Sequence, residues 1–265
     1  MLSVAPRLAY AQGSCKEFEP MTFGILPFIS AEQLVTRFTP LINYLSSKLN
    51  TKIRIETAPS FTEFARRTRD DSRYDILFTA PHFYPQAHQA GYELIACVDS
   101  PGMSAVIVVP KKSNIKILQD LKNKRLASLH DKSLSSLLVR KHLLEHGINP
   151  DKDLKIIITP THDASLLSSY HGITDASALM QPPYEAASQQ VRDSMRIIAT
   201  TERAPHIPIS TAKRISTDCA DELSVILLNM STTKEGRSVL QNNHFSGFRK
   251  TDIADYQKLK TLLAQ

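Results

Sequence analysis

Short apolar runs alternate with segments of helical periodicity from Met21 to Ala199, and this alternation narrows the fold more than any other feature of the chain. Strand-like runs stand at 21–26, 52–56, 74–79, 94–98, 105–109, 125–129, 154–159, 175–180 and 196–199. Between them, residues 31–49 repeat apolar side chains every three or four positions (Leu34, Phe38, Leu41, Ile42, Leu45, Leu49), the period of an amphipathic helix. Ser60 and Glu63 form a capping-box pair, Pro81 suits a first helical position, and Gly91 and Gly147 suit helix ends. Further helices are predicted over 117–122, 133–146, 163–170 and 184–191, with a mostly helical tail from about Asp218. Such alternation predicts an α/β fold with largely parallel sheets.

The length of 265 residues allows one large domain or two lobes of roughly 120 residues. With 42% apolar and 22% charged residues the chain is composed as a globular protein, not a disordered one. The longest apolar run, 105–109, is far short of the roughly 18 residues that would span a bilayer. A net charge of +6 raises the question of nucleic acid. However, the basic runs Lys122-Asn123-Lys124-Arg125 and Arg66-Arg67-Thr68-Arg69 are not interleaved with aromatics, so no nucleic acid partner is expected.

Cys15, Cys97 and Cys219 are odd in number and contain no CxxC, which excludes a disulfide framework and a Cys-rich zinc site. Which of them pair is left open, and Cys97 reads as a small core residue of the run 94–98. Ala9-Tyr10-Ala11 followed by Gln12 resembles the end of a secretory signal, although the segment before it is too short for a whole one. Residues 1–17 are therefore read as a signal-peptide remnant or disordered tail, with Cys15 poorly placed for lipid attachment.

Chemistry concentrates where strands meet helices, because ligands in open α/β sheets sit at the carboxyl ends of strands, facing helix N-termini. In Ser128-Leu129-His130-Asp131-Lys132-Ser133-Leu134-Ser135-Ser136, helix amides and the hydroxyls of Ser133, Ser135 and Ser136 suit a tetrahedral oxyanion, with Ser133 the natural cap. Two further turns echo one another: Thr79-Ala80-Pro81-His82 with Tyr84, and Thr159-Pro160-Thr161-His162-Asp163. These nominate Thr79, His82 and Tyr84 in one half, and Thr161, His162 and Asp163 in the other. Tyr184 is added as an aromatic wall. If His82 and His162 donate to an anion, affinity should rise as pH falls from about 8 to 6, because imidazolium donates through both nitrogens. There is no GxSxG, HExxH, GxGxxG or phosphate loop, so no catalytic residue is nominated, and neither a metal site nor a cofactor is expected.

Several segments, in order, resemble blocks of the phosphate/phosphite/phosphonate-binding periplasmic proteins of ABC transporters. They are Ile25-Leu26-Pro27 with 40–45, then 74–81, 120–127 leading to the serine cluster, 162–165 with 172–176, 232–237, and Gly247-Phe248 with Asp255-Tyr256. The resemblance covers residues 23–263. It implies a two-lobed type 2 periplasmic binding protein fold, each lobe a mixed, mainly parallel sheet flanked by helices. The first lobe would be discontinuous (18–105 plus 208–265), the second 106–207, with crossovers near 104–111 and 200–211. It also implies a monomeric, exported, non-enzymatic protein of the periplasm that captures a small oxyanion of the phosphonate, phosphite or phosphate class in an interlobe cleft. Its transient partner would be a membrane ABC permease; the alternative is a sensing module for a membrane signalling kinase.

Overall fold

The computed structural model describes residues 13–70 and 72–264, so the Ala9-Tyr10-Ala11 motif lies outside the described residues. The chain forms two compact units, one running to Ser100 and resuming at His206–Lys258, the other Pro101–Pro205 with the residues from Leu259. The first unit opens with β1 (Met21–Ile25), α1 (Ala31–Leu49), β2 (Ile53–Glu56), α2 (Phe61–Arg69), β3 (Ile76–Phe78), α3 (Tyr84–Gln89) and β4 (Tyr92–Val98). The second contains β5 (Ala105–Pro110), β6 (Arg125–Ser128), α4 (Leu134–Glu145), α5 (Pro150–Asp153) and β7 (Lys155–Ile158). It continues with α6 (His162–Tyr170), β8 (Ala176–Met180), α7 (Gln181–Ala186), α8 (Gln189–Ser194) and β9 (Met195–Thr200). The chain then returns to the first unit as β10 (Pro208–Ala212), α9 (Thr217–Leu228), α10 (Lys234–Gln241), β11 (Phe248–Arg249) and α11 (Ile253–Gln257).

The first sheet has the order β11-β4-β10-β3-β1-β2. Its parallel trio β2-β1-β3 is extended by antiparallel β10, β4 and β11. Helix α1 covers it because its apolar stripe (Leu34, Phe38, Leu41, Ile42, Leu45, Leu49) is buried, each such side chain contributing roughly 1.5–3 kcal/mol. The Ser30 hydroxyl caps α1 by accepting from the Gln33 amide, and Asn50 ends it in the left-handed region at φ 48°. At the amino edge of the sheet, Asp75 accepts from the Thr22 amide at 2.7 Å and from Arg214 Nε at 2.9 Å, tying β1 and β3 to the turn after β10.

The second sheet has the order β7-β6-β8-β5-β9, again a parallel trio (β7-β6-β8) with antiparallel strands added. Strand β5 is apolar without interruption because both of its faces are covered. Ala105, Ile107 and Val109 belong to a core with α4, whereas Val106 and Val108 pack with Leu166 of α6. Asp175 plays the part of Asp75, accepting from the Arg125 amide at 2.8 Å.

Some expectations need correction. The expected crossover at 104–111 is strand β5, and most of the second one, 200–211, is taken by the end of β9 and by β10; the chain changes unit at 100/101 and 205/206 instead. The expected helix at 184–191 is broken into α7 and α8, because the Ser188 hydroxyl starts a new helix by accepting from the Val191 amide. Residues from Leu259 join the second unit, where Leu259 and Leu262 are buried, rather than the first. Antiparallel pairing is as prominent as parallel pairing, because β4, β5, β9 and β10 flank the segments that pass between units.

The open cysteine question is resolved by a Cys15–Cys219 disulfide, which leaves Cys97 buried and free. It ties the start of the described chain to α9 across 204 positions. By loop-closure entropy such a bridge limits the unfolded chain by up to about 5 kcal/mol. Reduction, or the double change Cys15→Ala with Cys219→Ala, should therefore lower the unfolding temperature by several degrees in calorimetry. A reductant that leaves the parent's unfolding unchanged would show the bridge to be idle.

Candidate functional site

In the second unit, the carboxyl end of β6 runs into the first turn of α4, and the serine hydroxyls there form a small network. Ser133 is the cap: its hydroxyl accepts from the Ser136 amide at 3.3 Å. Ser136 donates to the Leu129 carbonyl at 2.9 Å. A hydroxyl has one hydrogen, so Ser136 can only accept from Ser133 (2.8 Å) and Ser128 (3.0 Å). Since the Ser133 hydrogen is spent on Ser136, the 3.2 Å contact between Ser135 and Ser133 has Ser135 as donor. The three nominated serines thus separate. Ser136 is locked at the centre of the network, Ser133 is a cap, and Ser135 holds a single long bond that a better acceptor could replace. The amides of Leu134 and Ser135 have no acceptor among the described residues, as expected for the first turn of a helix.

The neighbouring strand ends add to this turn. Thr159, after β7, donates its amide to the Ser128 carbonyl at 2.8 Å, which sets the two turns side by side. Thr161 caps α6 by accepting from the Ala164 amide at 3.1 Å, so its hydroxyl oxygen is engaged. His162 Nδ1 lies 3.4 Å from the Met180 amide, which can only donate. The imidazole is therefore the tautomer with its hydrogen on Nε2. Burial pushes its pKa down, with Asp163 partly opposing. Asp163 is exposed in the first turn of α6, where a carboxylate would repel an anion. Tyr184 is not an open aromatic wall: it is half-buried against the cluster of Val106, Val108, Leu166, Leu179 and Met195.

In the first unit, the turn after β3 departs further from expectation. Tyr84 is fully buried, its hydroxyl donating to the Tyr92 carbonyl at 3.3 Å and its ring set edge-on to Tyr256 at 5.2 Å. Burial raises its pKa far above the usual phenol range. It is a core residue, not a ligand-facing phenol. Thr79 is buried as well, lining a 10 Å³ crevice with Thr68, Phe83 and Ala87 between α2 and α3. His82 is buried in the short 3-10 turn Pro81–Phe83, its ring centroid 4.2 Å from that of Phe83.

Among the described residues of the second unit, one cavity of 220 Å³ is mainly apolar and is lined by Ser128 and Ser136 of the serine network together with Leu126, Val139, Leu143 and Ile156. Another, of 670 Å³, lies at the opposite, amino edge of the sheet around Lys112, Asp120, Lys124 and Asp175, away from the strand ends where ligands sit. Ser104 and Gln181 escape the sequence reading. The Ser104 hydroxyl donates to Gln181 Oε1 at 2.7 Å, and Gln181 Nε2 donates to Glu185 at 2.7 Å, beside the end of β8. Ser-x-x-x with a glutamine 77 positions later carries no local signal; only the β5–β8 pairing joins them. No group of three or more metal-ligating side chains occurs among the described residues.

The family model described as ABC transporter, phosphonate, periplasmic substrate-binding protein matches residues 23–256. The phosphonates-binding periplasmic protein of Escherichia coli K12 is 23% identical over 262 residues, covering 94% of this chain and 77% of that protein. PhnD1 of Prochlorococcus marinus, solved in complex with methylphosphonate, superposes with a TM-score of 0.77 at 21% identity, over 91% of this chain and 96% of its own. A binding protein component of a Pseudomonas aeruginosa ABC phosphonate transporter gives a TM-score of 0.76 at 18% identity, over 92% and 85%. At these identities the structural likeness establishes the fold, that of type 2 periplasmic binding proteins. The family match spans most of the length, from the first strand of the first unit to the last helix before the chain crosses back. The chain belongs to the ABC transporter phosphonate periplasmic substrate-binding protein family.

Proposed function

We propose that the protein captures a small oxyanion of the phosphonate class, with phosphate and phosphite as close relatives, and delivers it to an ABC importer. The observation that carries this reading is the first turn of α4, where the Leu134 and Ser135 amides and the Ser135 hydroxyl remain available; His162, at the start of α6 in the same unit, offers a further Nε2–H. Amides at a helix start and the positive end of its dipole favour a tetrahedral anion. Thr161 and Asp163, at the start of α6 in the same unit, and His82, buried at the corresponding strand-to-helix turn of the first unit, are carried only as further candidates. The names of the relatives support the ligand class, since one is called phosphonates-binding and another was solved with methylphosphonate.

Release without chemical change is part of the proposal. The donors are neutral amides, a hydroxyl and an imidazole, suited to reversible capture rather than turnover. The Cys15–Cys219 bridge supports export to the periplasm, because disulfides persist in oxidising compartments and are rare in the cytosol. The working form is proposed to be a monomer whose further partner is the membrane permease.

Titration calorimetry with methylphosphonate tests the reading directly: one site per chain is expected, with the ligand recovered unaltered. No heat with methylphosphonate, phosphite or phosphate would sink it. The two buried serines should then part company. Ser135→Ala removes a charge-assisted hydrogen bond worth about 1.5–3 kcal/mol and should weaken binding tenfold or more with little change in unfolding temperature. Ser136→Ala strands the Leu129 carbonyl and two hydroxyls, and should lower stability by about 1–3 kcal/mol. Equal behaviour of the two variants would refute the hydrogen-bond assignment.

The pH dependence differs from the sequence expectation. A depressed histidine pKa means that the folded state resists protonation: its stability contribution is complete above about 6.5 and is lost as pH falls. His162 therefore stays neutral from about pH 8 to 7. Its share of anion affinity should be flat over that range once the ligand's own ionisation is corrected for. A rise toward pH 7 that His162→Gln abolishes would contradict this.

A further inference from the structure

The helix whose first turn faces the candidate anion site carries two histidines at its other end. His142 lies in the last turn of α4 and His146 is its C-cap residue, four positions on and so on the same face. Their ring centroids are 4.3 Å apart with the planes inclined at 46°. His146 Nδ1 is 2.8 Å from the His142 carbonyl, which can only accept, so Nδ1 carries the hydrogen and Nε2 keeps its lone pair. A ring N–H held on a backbone carbonyl is how proteins orient a metal-binding imidazole. The His142 nitrogens have no hydrogen-bond partner among the described residues.

The electrostatic setting agrees. The negative end of the helix dipole lies here and favours a cation. Lys141, next to His142 in sequence, pairs with Glu145 at 3.3 Å and also with Glu202, so its ammonium is already neutralised by two carboxylates. With α4 twelve residues long, this end stands roughly 18 Å from the serine turn.

We propose that His142 and His146 form a two-imidazole site for a divalent late transition cation of the Ni2+, Cu2+ or Zn2+ class, with water completing the coordination. Imidazole suits these cations and not Mg2+ or Ca2+, which prefer oxygen. The site is independent of the anion site and does not rest on the proposed transport role.

The test is calorimetric titration of the full chain with Ni2+, and separately with Mg2+, near neutral pH. One Ni2+ per chain is expected, and no heat with Mg2+. His142→Ala and His146→Ala should each weaken Ni2+ binding by about tenfold or more. His130→Ala, an exposed histidine outside the pair, should leave it unchanged. His146 is exposed at a helix end, so its variant should unfold at the parent's temperature in the absence of metal, which keeps the test sound if His142→Ala folds poorly. The proposal is overturned if Ni2+ does not bind, if the pair variants bind as tightly as the parent, or if His130→Ala loses as much as they do.

Discussion

The insertion of β10 between β3 and β4 is the constraint on which the rest of the molecule depends. The centre of the first sheet is made by residues that follow the main segment of the second unit, Pro101–Pro205, in sequence. The chain must therefore leave the first unit after β4 and return after β9 before that sheet has its middle strand. Two long-range ties of the first unit lie just after this late strand. Arg214, just beyond it, reaches Asp75 and so the amide edge of β1, and α9, which follows, carries the cysteine that binds Cys15. Pairings of such long sequence separation close costly loops, which makes a bridge between distant segments effective.

The same arrangement places the chemistry. In the second unit β6, β7 and β8 run parallel, so their carboxyl ends and the helices that follow lie on one edge. On that edge the Ser128 carbonyl is shared with the Thr159 amide, and the Met180 amide fixes the tautomer of His162. The opposite edge is closed by Asp175 on the Arg125 amide, as Asp75 closes the first unit. Two aspartates inside family-like blocks thus hold strands, and the donors stand at the other ends of those strands. On the proposed reading an anion there would be met by dipoles and hydroxyls, and its affinity would depend on which hydroxyl still has a hydrogen to give.

Much of the architecture was legible because its signals are local. The apolar stripe of α1, the Ser60 cap, the doubly covered run of β5 and the Ser133 cap each follow from spacing within a few residues. The short strand β11 was not legible, since two residues carry no period, and β10 (Pro208–Ala212) was hidden because most of it falls in the stretch 200–211 that reads as a connection.

By itself the sequence determined the alternation of strands and helices, the turns where donors would lie, and the ordered blocks that resemble one family. Those depend on period, caps and residue type, which are properties of neighbouring positions. Only the tertiary structure decided that Tyr84 is spent on the Tyr92 carbonyl, that Ser136 is locked while Ser135 is not, and that Cys15 takes Cys219 rather than Cys97. Each of these is a choice of partner. A hydroxyl or a thiol has one hydrogen or one bond to give, and which neighbour receives it is set by the packing of segments far apart in the chain.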